Sequence, residues 1–552
     1  MKTAIPASAA RAAAGPNAKC PCGSGRKYKH CCGGRGPTEQ TARAAECYAR
    51  GNDHLGRGQL DEAIRQFRGA IAAQPGFFQA HSNLGLALES RGLRAEALDS
   101  YWAAARLATG TAEAHGTSVN YLVCLNAYQR ELFEMLRSDA HTPLQVLDRH
   151  LALACRLAAH ANPSRREHDN TRERERRLRV AYLSPDFRTH SVAYFMAPVI
   201  AAHDRTRVEV FCYYTCPLSD GITNKIAQLA DHWLACADLS DDELAARLRA
   251  DGIDILVDLA GHTIGNRILT LARKPAPIQI SYLGYPHVTG LDAMDYLLTD
   301  EFAAPRVQPS AHEGERVLPL KSPMVVYQPA FGSRGLLAAA GPAVVPPPML
   351  SRGYPTFGCF NDTSKISDAV IATWARLLAA VPGARLLLKS RALGEPAACA
   401  ALLARFRKLD VDPDRLQLEG RIDDLAEHLA RYGSVDVALD TFPYNGVTTT
   451  FEALWMGVPF VTLAGEVLCG RMGLSIATNA NHPEWIADSA HSYVERAAAL
   501  VRDPQVLARL RQHLRGELES SALLDAGNFT RHLEAAYRGV WATWCTRPDH
   551  RR

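Results

Sequence analysis

The sequence predicts an α/β protein of two lobes, each built on a buried parallel sheet, behind an all-α repeat segment and a small cysteine-rich module. Three observations predict it. From about residue 179 onward, short apolar β-rich runs alternate with helical stretches, in two series separated by a Pro/Gly/Ala-rich break. Before them, two helical stretches align at one constant offset, the distance from Phe67 to Tyr101. Before those, four cysteines crowd into residues 20–32.

Bulk composition sets the class. The chain has 552 residues, 47% of them hydrophobic and 22% charged, which is ordinary for a globular protein of several domains. A net charge of +4 gives no concentrated basic face for nucleic acid and requires no strongly anionic partner. No stretch approaches the roughly 18 consecutive apolar residues that a membrane span needs. The opening MKTAIPASAARAAAG lacks the apolar centre of a signal peptide and reads as a flexible tail. Of the 14 cysteines, those outside the first cluster sit singly in apolar runs such as VEVFCYY and LVCL. That is the pattern of reduced thiols in a reducing compartment, so a cytoplasmic chain is expected.

In chain order, residues 1–36 hold the tail and CPCGSGRKYKHCCG. Cys20 and Cys22 lie two apart, and Cys31 and Cys32 follow a short basic loop whose glycines allow a tight turn. Four thiolates so spaced can close a tetrahedron around zinc, and a site filled by four sulfurs is structural rather than catalytic. A disulfide pair or free thiols are the alternatives, and His30 is a substitute ligand. The spacing looks like the SEC-C motif.

Residues 40–160 form the helical segment. GQLDEAIRQFRGAI aligns with GLRAEALDSYWAAA, pairing Gly58 with Gly92, Ala63 with Ala97, Phe67 with Tyr101 and Ala70 with Ala104. The offset is the 34-residue tetratricopeptide period, in which small residues let paired helices approach and aromatics fill the gap. Two unrelated amphipathic helices are the alternative. Such arrays need about three repeats, so a degenerate third is expected from about Glu113, leaning on helix through Ala159. The charged run 164–179 reads as a solvated linker or helix end.

The first lobe, 176–335, has strand runs RVAYLSPD, VEVFCYY, DILVDLAG, PIQISYLGYP and MDYLLTD. The break GPAVVPPP follows. The second lobe, 350–525, has PTFGCFN, ARLLLKS, RLQLEG, VDVALD and PFVTLAG. Continuous apolar strands spaced by helices indicate parallel sheets covered on both faces. Two Rossmann-like lobes would bind ligands outside the carboxyl ends of their strands. The terminal helix, 526–545, is placed to cross back to the first lobe.

Three places carry chemistry. In LDTFPYNGVTTTFEALWMGVP a strand ends at Asp440, a turn with Gly446 follows, and Thr448, Thr449 and Thr450 open a helix. Free N–H groups and the helix dipole there favour a diphosphate, threonine hydroxyls add donors, and Glu452 can accept from ribose hydroxyls. An ordinary threonine cap is the alternative. Lys365, between a strand end and a helix, can neutralise a departing diphosphate, or else is a surface charge. His190, after the first strand, titrates near neutrality and suits a base or polar anchor, or else is structural.

Together these points resemble the O-GlcNAc transferase and SPINDLY family over roughly residues 40 to 542. The resemblance rests on SPDF-x-x-H, DGIDILVDLAGHT, RKPAPIQISYLGYP, MDYLLTD, FN-x-x-x-K and LDTFPYNG-x-TTT-x-EALWMGVP, in order. It implies a GT-B fold and an inverting, metal-independent transfer from a nucleotide sugar, UDP-GlcNAc first, to Ser or Thr of intracellular proteins presented by the repeats. It implies that His190 and Lys365 are catalytic, and that Thr448, Thr449, Gly446 and Glu452 bind the donor. His428 matches a histidine beside the base, Asp362 stands where animal members have Gln, and Gly284, Tyr285 and Pro286 line the cleft. Val447 replaces their His before the threonine pair. The FPYNG-x-TTT form is nearer the bacterial and SPINDLY branches, which leaves GDP-fucose and UDP-glucose as alternative donors. A glycan-directed transferase, a non-catalytic repeat scaffold and a SEC-C docking protein are the rival functions.

Overall fold

The computed structural model describes residues 39–547, apart from positions scattered between 92 and 117 and the stretches 162–167, 309–313, 333–334 and 338. Cys20, Cys22, Cys31 and Cys32 lie outside the described residues. The chain forms two compact units, one reaching Glu134 and one from Met135 onward.

The first unit is helical, with helices Glu39–Gly56, Leu60–Ala73 and Phe78–Arg91, and helix Ser118–Arg137 at its end. The repeat has a physical cause in an aromatic ring laid on a glycine. Phe67 is fully buried over Gly51, where an added Cβ would lie 2.5 Å from the ring. Tyr101 sits over Gly85 in the same way, at 2.5 Å. The spacing from Gly51 to Gly85 equals that from Phe67 to Tyr101, so the contact recurs with the period. Ala63, Ala70, Ala97 and Ala104 are buried beside it.

The second unit holds two sheets in which every pairing is parallel. The first contains β1 (Leu178–Ser184), β2 (Val208–Tyr214), β3 (His232–Ala235), β4 (Ile255–Asp258), β5 (Ile278–Ser281), β6 (Tyr296–Asp300) and β7 (Arg316–Leu320), in the order β3-β2-β1-β4-β5-β6-β7. The second contains β8 (Thr356–Cys359), β9 (Arg385–Lys389), β10 (Leu416–Glu419), β11 (Val437–Leu439), β12 (Phe460–Leu463) and β13 (Ile486–Ala487), in the order β10-β9-β8-β11-β12-β13. Two doubly wound sheets joined by one linker give the GT-B arrangement. All ten apolar runs named from sequence are strands. The three that were not named are β3, β7 and β13, and each is a sheet edge. Edges are half exposed, so β3 lacks the apolar run of a buried strand, and β7 tolerates Pro319, which a central strand would not.

Three apolar clusters hold this unit. One surrounds β1, β2, β4 and β5 and takes in Phe529, Leu533, Tyr537 and Trp541 of the terminal helix Ala526–Cys545. A second fills the far face of the second sheet around Trp374, Leu386 and Phe406. A third bridges the lobes, bringing Phe195, Leu297 and Tyr327 against Phe451, Leu454 and Met472. The Tyr327 and Phe451 rings stack at 4.8 Å, and Phe195 meets both at 5.6 Å. Asp300 at the end of β6 accepts a hydrogen bond from Ser475 of the second lobe.

The described part of the charged run corrects the linker expectation. Arg176 makes a fork of bonds to the buried Asp254 carboxylate, at 2.5 and 2.6 Å, and stacks on Trp541 at 4.6 Å. Arg172 covers Trp544 at 4.9 Å, and Arg538 donates back to the Arg176 carbonyl at 2.9 Å. The run is a strap that pins the terminal helix to the first lobe, because guanidinium planes match both a carboxylate fork and an indole face.

Candidate active site

The turn after β11 is built around a buried carboxylate. Asp440 leaves the strand end and accepts from the N–H groups of Thr441 (2.9 Å) and Gly446 (2.6 Å) and from the Thr462 hydroxyl (2.8 Å). Burial raises its carboxyl to about 6, against the pull of those donors. The turn leads into helix Thr448–Trp455, whose cap position is Val447, a residue with no side-chain acceptor. An ordinary threonine cap is therefore not what the structure has. Thr449 donates to Asn361 Oδ1 at 2.7 Å and Thr450 to the Gly446 carbonyl at 3.1 Å. Thr448 makes no side-chain bond among the described residues, and no side chain of the cap residue satisfies the first-turn N–H groups.

Lys365 reaches this corner. It closes the short turn Thr363–Lys365 after β8, and its Nζ donates to the Asn445 carbonyl at 2.8 Å and lies 4.2 Å from the Tyr444 ring centre. Burial pushes its ammonium down to about 8, partly offset by Asp440, with Arg137 adding a like charge. Asp362 caps the same turn by accepting from Ser364 N–H at 2.8 Å. Burial would raise its carboxyl, but the bonds from Ser364 outweigh that and hold it low. Asn361 ties the two halves together, bonding Thr449 with Oδ1 and Thr441 Oγ1 with Nδ2 at 3.2 Å. Gly446 is required by this closeness: a Cβ there would lie 2.5 Å from both Asn361 Oδ1 and Thr449 Oγ1.

One helical turn further on, Glu452 Oε2 accepts from Tyr432 OH at 3.0 Å and lies 3.1 Å from His428 Nε2. The other ring nitrogen of His428 is 2.6 Å from Lys389 Nζ, at the carboxyl end of β9. Phe360 packs beside Tyr432, with ring centres 4.4 Å apart.

In the first lobe, His190 caps helix Ser191–Ala202, its Nδ1 accepting from Val192 N–H at 3.3 Å. Burial holds it below the ordinary histidine range, and the Asp186 carboxylate at 3.6 Å opposes that. The helix it opens carries Phe195, which meets Phe451 of the threonine helix, so the two helix starts belong to facing lobes. Gly284 is set by close approach, since a Cβ would fall 1.8 Å from the Leu259 carbonyl oxygen. Tyr285 corrects the expectation of a cleft-lining side chain. It is 3% exposed and its hydroxyl is 2.6 Å from His150 Nε2, inside a group with His262 and His287.

Residues 135–319 and 353–533 match glycosyl transferase family 41, and residues 17–34 match the SEC-C motif. The chain belongs to glycosyl transferase family 41. It is 37% identical over 385 residues to the probable UDP-N-acetylglucosamine--peptide N-acetylglucosaminyltransferase SPINDLY of Solanum lycopersicum, covering 68% of this chain and 40% of that protein. The Arabidopsis thaliana SPINDLY protein of the same description is 36% identical, covering 68% and 41%. The chain thus spans about two fifths of the length of these relatives. Among solved structures, a lysine-to-methionine mutant of the Thermobaculum terrenum O-GlcNAc transferase superposes with a TM-score of 0.79 at 35% identity, covering 91% of both chains.

The family 41 fold brings together the second-lobe candidates Asp362, Lys365, Gly446, Thr448, Thr449, Glu452 and His428 around the carboxyl ends of β8, β9 and β11. Three residues of this corner are given no role by the sequence: Asn361, Asp440 and Lys389. Asp440 and Asn361 fall inside the LDTFPYNG and FN-x-x-x-K motifs but act through the turn they hold, and Lys389 is a single lysine ending an apolar strand, so nothing in their residue types marks them. Another cavity, lined by Arg179, Glu209, Tyr213, His232, Leu234 and Asp251, runs along β2 and the edge strand β3 of the first sheet and includes none of these candidates. Among the described residues no group of three or more His, Cys, Asp or Glu is placed to hold a metal ion, and no helix is long and apolar enough to cross a membrane.

Proposed function

We propose that this family 41 chain transfers GlcNAc from UDP-GlcNAc to Ser or Thr hydroxyls of proteins, inverting the anomeric centre. One observation carries the reading: the Lys365 ammonium bonds the turn that opens an uncapped helix, so a cation and a helix N-terminus share one corner. Such a corner suits a pyrophosphate, whose charge grows as the sugar leaves. The donor nucleoside would lie toward His428 and Glu452. The acceptor hydroxyl attacks the anomeric carbon as the bond to the diphosphate breaks, and its proton passes to solvent or to the leaving phosphate.

His190 fits a donor's role better than a base's. With Nδ1 accepting from Val192, the neutral ring carries its proton on Nε2 and presents an N–H to the acceptor. The helical repeats would present protein acceptors. Cys20, Cys22, Cys31 and Cys32 would hold a structural zinc, supported by the SEC-C match over residues 17–34.

The test is a donor panel. Purified chain is incubated with an acceptor protein and UDP-GlcNAc, UDP-glucose or GDP-fucose, and nucleoside diphosphate release and acceptor mass are followed. Release of UDP from UDP-GlcNAc with a mass gain on the acceptor is expected. Turnover of GDP-fucose alone would replace the donor assignment, and no turnover of any donor would sink the transferase reading.

A further inference from the structure

We propose that Lys389 is a positioning residue for the nucleoside end of the donor: it fixes His428 in the Nε2–H form and leaves one Glu452 oxygen open to the ribose. This rests on the donor-site reading above and adds to it a residue which no sequence motif marks.

The argument is one of donors and acceptors. An ammonium has three N–H donors and no acceptor. At 2.6 Å from His428 Nδ1, Lys389 can only donate, so Nδ1 carries a lone pair and the ring proton is on Nε2. Nε2 faces Glu452 Oε2 at 3.1 Å and donates to it. Tyr432 donates to the same oxygen at 3.0 Å. Oε2 therefore holds two donors, while Oε1 has no partner among the described residues. A carboxylate with one satisfied and one open oxygen is oriented to accept from a vicinal diol. Lys389 is itself held by its surroundings, 5% exposed and 5.3 Å from the Phe360 ring centre.

Other charged groups around the chain of bonds do not replace it. Glu419 and Arg431 pair with each other on the β10 side. Arg421 pairs with Asp423. Tyr194 and Tyr327 of the first lobe are titratable groups that also face Glu452, and as neutral phenols neither supplies a cation. Burial lowers the Lys389 ammonium from its ordinary value, with Glu452 and Glu419 opposing that. Without Lys389, Nδ1 has no donor, the two neutral ring forms interconvert, and the Glu452 carboxylate loses its fixed orientation.

The experiment uses the full chain labelled with 15N-histidine, with His428→Gln to assign the signal. In the parent, His428 should appear as the neutral Nε2–H form. In Lys389→Met it should become a mixture of forms. By calorimetry, Lys389→Met should weaken UDP about tenfold and leave inorganic pyrophosphate, which reports only the Lys365 corner, within about twofold. Lys389→Arg, which keeps N–H donors, should restore UDP to within about threefold. Should Lys389→Met fail to fold, Lys389→Gln and Lys389→Arg are compared with the parent in its place. An unchanged His428 signal on loss of Lys389, or equal losses of UDP and pyrophosphate, would overturn the inference. A parent that binds neither probe but keeps the Nε2–H signal would overturn the donor-site reading, and with it the ribose role, while sustaining the Lys389–His428 bond.

Discussion

Lys365→Met removes the ammonium and keeps an unbranched stem against Tyr444. The loss can be bounded from the geometry. Of three N–H donors on Nζ, one is spent on the Asn445 carbonyl, which leaves two for phosphate oxygens. Charge-assisted bonds contribute about 1.5–3 kcal/mol each, so the ceiling is about 3–6 kcal/mol. Part of that is already present with the intact donor bound and does not lower the barrier. A fall in kcat of about 10²–10³-fold is therefore expected, in the range for deleting one preorganised donor to a developing anion. The measurement is UDP release under saturating donor and acceptor, with circular dichroism to confirm an unchanged fold. The pH profile supplies a second reading. The ammonium is the working form and burial brings it to about 8, so the free enzyme loses it as pH rises through that value. Parent kcat/KM should fall about tenfold per unit well above pH 8, and the variant should lack that limb. A Lys365→Met protein within about fivefold of the parent, or a parent profile flat to pH 9.5, would refute the leaving-group argument.

Further outcomes follow from single contacts. Gly446→Ala places a Cβ 2.5 Å from both partners of the Asn361–Thr449 bond, so thermal or denaturant unfolding should show a loss of about 1–3 kcal/mol and UDP should bind at least several-fold more weakly. If His190 donates rather than accepts, His190→Gln should stay within about tenfold of the parent while His190→Ala loses more than His190→Gln; equal losses would argue for a base. Elemental analysis should find one zinc per chain, lost in Cys20→Ser or Cys31→Ser, with transfer to a short peptide acceptor unchanged within about twofold.

What was legible in the sequence follows burial. The nine central strands are covered on both faces, so they appear as apolar runs and all are found, together with the edge strand β10. β3 and β13 at the edges lack that cover, and Pro319 in β7 even argues against a strand. The repeat was visible through Phe67 and Tyr101, yet their partners Gly51 and Gly85 lie in the preceding helix, outside the aligned windows. In the site, Lys365, the threonine turn and Glu452 were legible because the chemistry of a pyrophosphate demands those types at a strand end and helix start. Asp440 and Asn361 were not, since they serve the ligand only by holding the turn. Thr448 opens the helix as the sequence implies, and the cap is Val447 rather than the threonine of the alternative reading, which leaves the helix start without a side-chain cap. The arginine-rich strap was misread as solvated because its partners, Asp254 and Trp541, are far away in the chain.

The electrostatics of the corner lead to a last expectation that does not depend on turnover. Lys365 and Asp440 are buried near each other with their carboxyl and ammonium values drawn together, to about 6 and about 8. Each charged form is disfavoured by burial and favoured by the other. A diphosphate entering this corner adds negative charge beside the ammonium, which must raise the Lys365 value. At pH 8 the free site is about half protonated, so binding UDP should take up roughly half a proton from solution. Calorimetry in two buffers of different ionisation enthalpy at pH 8 measures that uptake directly. At pH 6.5 the lysine is already charged, and its share of the uptake should vanish. At pH 8 Lys365→Met should lose the same share, whatever Asp440 contributes. Uptake of equal size in parent and variant would mean that the bound phosphates do not approach the ammonium, and the pyrophosphate corner would then lie elsewhere in the cleft.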